Sequence, residues 1–302
     1  MTIKIREQII VTTAKCSRHL PDFRGKYRAG TMLQQILMPR EAWRNPVQTI
    51  HMKSGLQMSI DARNRIHWAA LWTGRYDQRL IDRFCNAFSK ETVVWDIGSN
   101  VGYYAIPFAS FLKPIKGKVV AFEPLTENLI CLKAAVKANS IEDIVSIQPF
   151  GLGEKNETVV ITTTSAGGAD NAVIQRGGVA EESKFKPVEN IKVKVADEFY
   201  LDNGSKRVDF LKIDIEGYEL FFLQGARRIL QEQRPAIFGE FNRAFLKKFN
   251  YGMAKVWEIL QPIGYDCYAV DTRKAEFKKL VAPSDNRGDY LFLHPEHSLG
   301  LG

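Results

Sequence analysis

The chain has 302 residues, with 42 Lys and Arg against 34 Asp and Glu for a formal charge of +8, and it is 45% hydrophobic and 25% charged. That usage excludes a disordered or fibrous chain and suits one large domain or two small ones. The longest nearly uncharged apolar run, Val101 to Leu112, contains Pro107 and falls far short of the roughly 20 residues that span a bilayer, so no integral membrane segment is expected.

The first residues offer only Ile9, Ile10 and Val11 before Lys15, too little for a signal-peptide core, and a cytoplasmic location is expected. Cys16, Cys85, Cys131 and Cys267 are widely scattered with no Cys-x-x-Cys pair, which argues against a zinc site or a disulfide framework and for reduced, mostly buried thiols. Residues 1–46 hold nine basic and three acidic side chains, a net of +6, while the remainder is nearly neutral. This basic arm reads as a solvated surface or a dimer contact. Phosphate, anionic lipid or an acidic partner are the other contacts such charge can make.

Two strand-like runs, Val47 to Met52 and Leu56 to Ile60, flank a turn at Gly55 and predict a hairpin. Trp68, Leu71, Trp72, Tyr76, Leu80, Ile81 and Phe84 fall near helical spacing, interrupted by Thr73-Gly74, and predict a broken helix. Residues 47–91 thus form a hairpin and helical cap ahead of a domain over 92–302.

From Thr92 onward, strand-length apolar runs alternate with amphipathic stretches. Strands are expected at Val93 to Trp95, Val119 to Phe122, Ile144 to Ile147, Val208 to Ile213, Ala236 to Phe238, Tyr265 to Val270 and Tyr290 to Leu293. Helices are expected at Tyr103 to Leu112, Leu125 to Asn139, Tyr218 to Gln231 and Arg243 to Leu260. The alternation predicts an α/β fold with a mostly parallel, doubly wound sheet. The last strands lack a good crossover helix, so an antiparallel edge is expected at the C-terminal end. Thr163 to Asn190, rich in Gly, Ala, Ser and charges, reads as a long surface loop able to cover a site.

The first strand runs into Asp96-Ile97-Gly98-Ser99-Asn100-Val101-Gly102, a Gly-punctuated turn at the ligand crevice of such a sheet. Gly98 permits the tight turn and Gly102 the close helix start. Asp96 would repel a pyrophosphate and suits a cationic group, such as the ammonium of an amino acid attached to adenosine. Glu123-Pro124 ends the second strand 27 residues later, where a carboxylate can accept hydrogen bonds from ribose hydroxyls. After the third strand, Phe150-Gly151-Leu152 offers an apolar lip for a flat ring. Strand four ends with Lys212, Asp214 and Glu216 on one side by period-two alternation, and strand five with Glu240. Ionisable groups at strand tips are costly to bury without a role.

These motifs resemble the FkbM-type S-adenosylmethionine-dependent methyltransferases. The resemblance runs from about residue 47 to 293 through Trp72-Thr73-Gly74-Arg75-Tyr76-Asp77, the Asp96 turn, Phe122-Glu123-Pro124 and, most specifically, Asp209 to Glu219. Asp77 stands where the family pattern carries Glu, keeping the charge and shortening the reach. The resemblance implies a Rossmann-like class I methyltransferase fold and S-adenosyl-L-methionine as cofactor. It places Asp96, Gly98, Asn100 and Gly102 on the methionine moiety and Glu123 on the ribose. Tyr103, Pro124, Gly151 and Tyr76 are expected to bind the cofactor as well.

The implied activity is O-methylation of a sugar, glycolipid or secondary metabolite, with a small-molecule or glycan hydroxyl as acceptor, anionic or lipid-linked. An electrophilic methyl needs chiefly alignment of the acceptor oxygen and removal of one proton. Asp214 and Glu240 are the candidate bases, Lys212 orients Asp214 or takes the proton itself, and His67 ranks behind them. A metal is the less favoured route, although Asp214, Glu216 and Glu240 are hard ligands. A nucleic-acid methyltransferase using the basic arm is disfavoured because Asp214-Ile215-Glu216-Gly217 stands where such enzymes grip a planar amine. An NAD-dependent oxidoreductase is disfavoured by Asn100 and Asp96 in the glycine motif. A non-catalytic ligand-binding module is the remaining alternative.

Overall fold

The computed structural model describes residues 2–21, 23–38, 42–163, 173–175, 186–286, 288–297 and 299–301. Residues 1–46, expected as an arm, contain two helices, α1 (Ile3–His19) and α2 (Lys26–Leu37). Their buried stripes are Glu7, Ile10, Ala14 and Arg18 on α1 and Lys26, Gly30 and Gln34 on α2. Most of these side chains are polar, so no hydrophobic period marks the helices in the sequence.

Hydrogen bonds replace that period. After the hairpin strands β1 (Val47–His51) and β2 (Gln57–Asp61) comes the short helix α3 (Trp68–Thr73), on which α1 and α2 pack. The Arg18 Nη1 donates to the Leu71 carbonyl at 2.6 Å and the Ser17 hydroxyl to that of Trp72 at 2.9 Å. The Gln34 side chain accepts from the Trp72 indole and donates to the Ala62 carbonyl, each at 2.9 Å. A Cβ on Gly30 would come within 2.2 Å of the Trp72 ring, so the glycine is what lets α2 lie flat on it. Gly74, left-handed at φ 66°, ends α3, and α4 (Gln78–Cys85) follows, so the expected broken helix is broken at that glycine.

Next in the chain are β3 (Val93–Ile97), α5 (Ala105–Leu112), β4 (Lys118–Phe122), α6 (Thr126–Ala138) and β5 (Val145–Gln148). They are followed by β6 (Gly151–Gly153), β7 (Glu157–Thr163), β8 (Val173–Gln175), β9 (Lys186–Val195) and α7 (Ala196–Asp202). The chain then forms β10 (Phe210–Ile213), α8 (Glu219–Gly225), α9 (Arg227–Glu232) and β11 (Ala236–Glu240). It finishes with α10 (Arg243–Lys248), α11 (Met253–Leu260), β12 (Asp266–Asp271), β13 (Glu276–Leu280) and β14 (Asp289–Leu293).

The main sheet has the order β13-β12-β14-β11-β10-β3-β4-β5. The strands from β5 to β11 are parallel, and β14 runs antiparallel to both β11 and β12, an antiparallel end completed by the β12–β13 hairpin. Alternate residues feed two apolar layers. Val94, Val119, Phe210 and Leu291 face α4, α5 and α6, whereas Trp95, Leu211, Ile237 and Phe292 face α8, α9 and α11.

Two expected helices are each divided in two. Gly225 closes α8 because its missing Cβ would lie 1.8 Å from the Gly153 carbonyl, and α9 restarts two residues on. Asn250 at φ 56°, Tyr251 and Gly252 separate α10 from α11. The expected loop over 163–190 is partly strand: Thr163, 173–175 and 186–190 join a second sheet of order β6-β9-β7-β8, and 164–172 and 176–185 lie outside the described residues. Cys16 is exposed and the other three thiols are buried and free. Among the described residues, no helix is long and apolar enough to cross a membrane.

Because Trp72 is the surface on which both N-terminal helices rest, Trp72→Ala is expected to cost about 3–5 kcal/mol in a urea melt. A loss below about 1 kcal/mol would show that those helices are not anchored through this ring.

Candidate functional site

The C-terminal tips of β3, β4, β10 and β11 meet at one edge of the sheet. Gly98, at φ 79°, lies so close to β10 that a Cβ would be 2.0 Å from the Asp214 carbonyl, and only glycine permits this turn. Asn100 is held left-handed at φ 51° by three contacts. Its N–H donates to Glu123 Oε2 at 2.8 Å, its Oδ1 accepts from the Val101 N–H at 2.8 Å, and the same oxygen faces His67 Nε2 at 3.1 Å. An amide oxygen only accepts, so Nε2 carries the proton, and Nδ1 accepts from the Asp61 N–H at 3.2 Å. Burial lowers the His67 pKa and keeps it neutral. His67 therefore positions Asn100.

Glu123 ends β4. Its Oε1 accepts from the Leu125 N–H at 2.9 Å, and burial pushes its pKa up to about 7 against the hydrogen bonds it receives. Gly98, Asn100, Glu123 and Pro124 form one wall of an open crevice, and Gly151 and Leu152 form its lip. Ile161 of β7 with Ile191 and Val193 of β9 roof it, and Asp214, Glu216 and Tyr218 close the far side. The second sheet is thus the cover of this crevice.

A smaller cavity lies next to it, lined by Tyr76, Asp77, Tyr104, Phe238, Glu240 and Asp289 together with Lys212 and Asp214. Asp214 lines both cavities. Between them sits one cation. Lys212 Nζ donates to the Gly98 carbonyl at 3.0 Å and lies 3.5 Å from Asp96 Oδ1, 3.6 Å from Asp214 Oδ2 and 5.4 Å from the Tyr104 ring centre. Strand register makes this inevitable, since Asp96 pairs with Lys212 across β3 and β10. Burial opposes the lysine's charge, but Asp96 and Asp214 outweigh it and leave its pKa raised. Lys212 is a fixed charge, and the proton-accepting role expected as its alternative does not suit it.

The surrounding carboxylates are pushed toward their neutral forms. Burial, then Asp214 and Asp289, raise Glu240 to about 7, and burial, then Asp77 and Asp214, raise Asp289 to about 6. Burial also raises Asp77, whose Oδ2 accepts from the Tyr104 hydroxyl at 3.0 Å. The loop after β10 is fixed from below. Glu219 Oε1 accepts the Ile215 and Gly217 N–H groups, each at 3.1 Å, and the Tyr251 hydroxyl donates to the Gly217 carbonyl at 2.7 Å. Burial raises Glu219 to about 7, and burial with Asp214 and Glu240 raises Glu216, left-handed at φ 55°, to about 8. Among the described residues no three metal-ligating side chains converge.

Of the expected site residues, Gly98, Asn100, Glu123, Pro124 and Gly151 share the large crevice, and Lys212, Asp214, Glu240 and Tyr76 the smaller cavity. Asp96 lines neither. It is fully buried beneath Lys212, and neither of its oxygens accepts a hydrogen bond among the described residues. Tyr103 lies behind the site, stacked on Tyr76 at 4.0 Å and 7° with its hydroxyl buried and unbonded. Gly102, at φ 95°, makes room for Leu132 and Ile106. Tyr104, Asp289 and Asn128 were not expected. Asp289 had a signal: the first residue of an antiparallel strand lies at the end where parallel strands finish, and it pairs with Glu240.

Residues 96–267, more than half of the chain, match the methyltransferase FkbM domain. The protein belongs to the FkbM methyltransferase family. None of the curated proteins compared with it matches. Similar solved structures include the methyltransferase FkbM from Methylobacillus flagellatus KT, at 18% identity and a TM-score of 0.41 over 96% of this chain. The chain spans 59% of that protein's length. An O-methyltransferase from Bacillus cereus in complex with SAH is 12% identical, with a TM-score of 0.40 over 72% of this chain and 80% of its own. A tRNA (uracil-54, C5)-methyltransferase from Pyrococcus abyssi, in complex with S-adenosyl-L-homocysteine, is 12% identical with a TM-score of 0.41, over 83% of this chain and 44% of its own.

Glu123, Glu219 and Glu240 bind their protons more tightly folded, at about 7, than at the ordinary 4.5, and Glu216 at about 8. Their contribution to stability is present below pH 4.5 and is lost as pH rises through 7 and 8. Calorimetric melting of the ligand-free protein is expected to show Tm falling over that interval, with a shallower fall in Glu216→Gln. Parallel curves for the two proteins would contradict the assignment.

Proposed function

We propose that the protein is an S-adenosylmethionine-dependent O-methyltransferase, with the cofactor in the large crevice and a neutral polyhydroxyl acceptor in the smaller cavity. The observation that carries the proposal is Asp214 forming a wall common to both cavities, with Lys212 fixing it from behind. The large crevice suits an adenosine-bearing ligand. Glu123 keeps free lone pairs for two ribose hydroxyls, Pro124, Leu125, Leu152 and Ile161 offer apolar surface to a ring, and Asp214 and Glu216 present carboxylates to a cationic amino acid end. The expected cation-binding carboxylate, Asp96, is reassigned here to holding Lys212.

The cofactor when bound supplies an electrophilic methyl group. What remains for the chain is to hold an acceptor oxygen in line and to take its proton. Asp77, Glu240 and Asp289 surround the smaller cavity with hydrogen-bond acceptors, and Tyr76, Tyr104 and Phe238 give it aromatic walls. That combination suits a sugar ring or a similar polyol and repels a phosphate, so any anionic or lipid part of the acceptor stays outside. Glu240, near 7, is matched to accepting an alcohol proton at neutral pH. Asp214 and Lys212 position the acceptor and each other.

Calorimetric titration is expected to show binding of S-adenosylmethionine and S-adenosylhomocysteine, lost in Glu123→Ala, and no binding of NAD; the reverse pattern would overturn the cofactor assignment. With an acceptor found by mass shift, Glu240→Gln is expected to lower kcat by about 10²- to 10⁴-fold and to remove the pH-rate limb near 7. An unchanged limb would place the base elsewhere.

A further inference from the structure

Of the large hydrophobic side chains exposed among the described residues, seven of thirteen fall between Ile3 and Ile36. Five lie on α2 and the turn before it: Leu20 at 52% exposure, Phe23 at 57%, Tyr27 at 43%, Met32 at 60% and Ile36 at 72%. On α2, Arg28, Met32 and Ile36 follow one another at i, i+4 spacing, opposite the buried Lys26, Gly30 and Gln34, and the exposed Arg24 precedes the helix across the left-handed Gly25. The result is a stripe that is basic at one end and apolar at the other, on a surface that burial of the polar stripe leaves without a partner.

The charge of residues 1–46 is predominantly positive, nine basic side chains against three acidic. The sole carboxylate described in residues 1–46, Glu7, is buried and accepts from the Asn45 N–H at 3.1 Å. We infer that this face docks on an anionic lipid surface, with Arg24 and Arg28 on headgroup phosphates and Leu20, Phe23, Met32 and Ile36 in the acyl boundary. A second copy placed face to face would bring the same positive charge against itself. A nucleic acid would take the arginines but gives Met32 and Ile36 nothing apolar to enter.

The position of the face gives the docking a use. Lys53 Nζ donates to the Leu20 carbonyl at 3.3 Å, and the Lys53 N–H donates to the Gly74 carbonyl at 2.8 Å. The same loop carries Tyr76 and Asp77 into the smaller cavity. A docked protein therefore holds one wall of that cavity close to the lipid surface, a consequence that rests on the proposed function, whereas the docking itself does not.

The test is co-sedimentation of the full chain with phosphatidylcholine vesicles, with and without phosphatidylglycerol, at low and high salt. Binding is expected only to the anionic vesicles. Arg24→Gln with Arg28→Gln is expected to weaken it about thirty-fold, taking roughly 1 kcal/mol per arginine near the surface. Met32→Ser with Ile36→Ser is expected to weaken it several-fold at high salt, where screened charge counts least. Circular dichroism melts confirm that both variants fold, since all four side chains are exposed. Equal binding to neutral vesicles, no binding to either, or variants that bind like the parent would overturn the inference. So would concentration-dependent dimerisation, or capture of a short RNA, in place of vesicle binding.

Discussion

Everything at the C-terminal tips of the parallel strands depends on a single buried ammonium. Lys212 is 5% exposed, yet it holds the Gly98 carbonyl of the first turn, the fully buried Asp96 below and Asp214 above. Removing its charge would strand Asp96, whose oxygens have no other partner among the described residues, at a cost of roughly 3–5 kcal/mol for a broken buried pair. A hydrophobic trio would fill the same space more cheaply, so the ions are better understood as a device of position. They tie the turn that shapes one cavity to the carboxylate that divides it from the next.

The charge balance around that cation is deliberately incomplete. Asp77, Asp214, Glu240 and Asp289 line the smaller cavity, and among the described residues Lys212 is the one basic side chain lining it. Burial and mutual repulsion raise Asp77, Glu240 and Asp289, which means the ligand-free site is less stable ionised than protonated. Such an excess of negative potential favours a cationic centre at the shared wall and a proton donor in the smaller cavity. An alcohol beside a sulfonium meets both conditions at once.

The main sheet was legible because its strands are apolar runs separated by helices, and the tips at Glu123, Lys212, Asp214 and Glu240 followed from counting alternate residues. What stayed hidden had no periodic signal. The N-terminal helices bury Glu7, Arg18, Lys26 and Gln34, whose hydrogen bonds substitute for a hydrophobic stripe. Helix breaks at Gly225 and Gly252 answer to contacts with Gly153 and Asp285, far away in the chain. Spacing put Asp96 at a strand tip correctly but could not say which way it faces, since that depends on Lys212 lying across it. Asp289 joined Glu240 only because β14 runs backwards into the site.

The division of labour between the shared and the peculiar parts of the chain follows from where each wall originates. Residues 96–267 match the family domain and contain the ionic core, Tyr104, Phe238 and Glu240. Tyr76 and Asp77 precede that span, and Thr272 and Asp289 follow it. The cavity proposed for the acceptor is thus built half from the shared sheet and half from the cap and the C-terminal strands. The cap reaches the other cavity as well, through Ile66 on its wall and His67 behind Asn100. On the proposed assignment the methyl donor would rest on the shared sheet, while the acceptor would meet residues from both that sheet and the segments flanking it, Tyr76 and Asp77 on one side and Asp289 on the other.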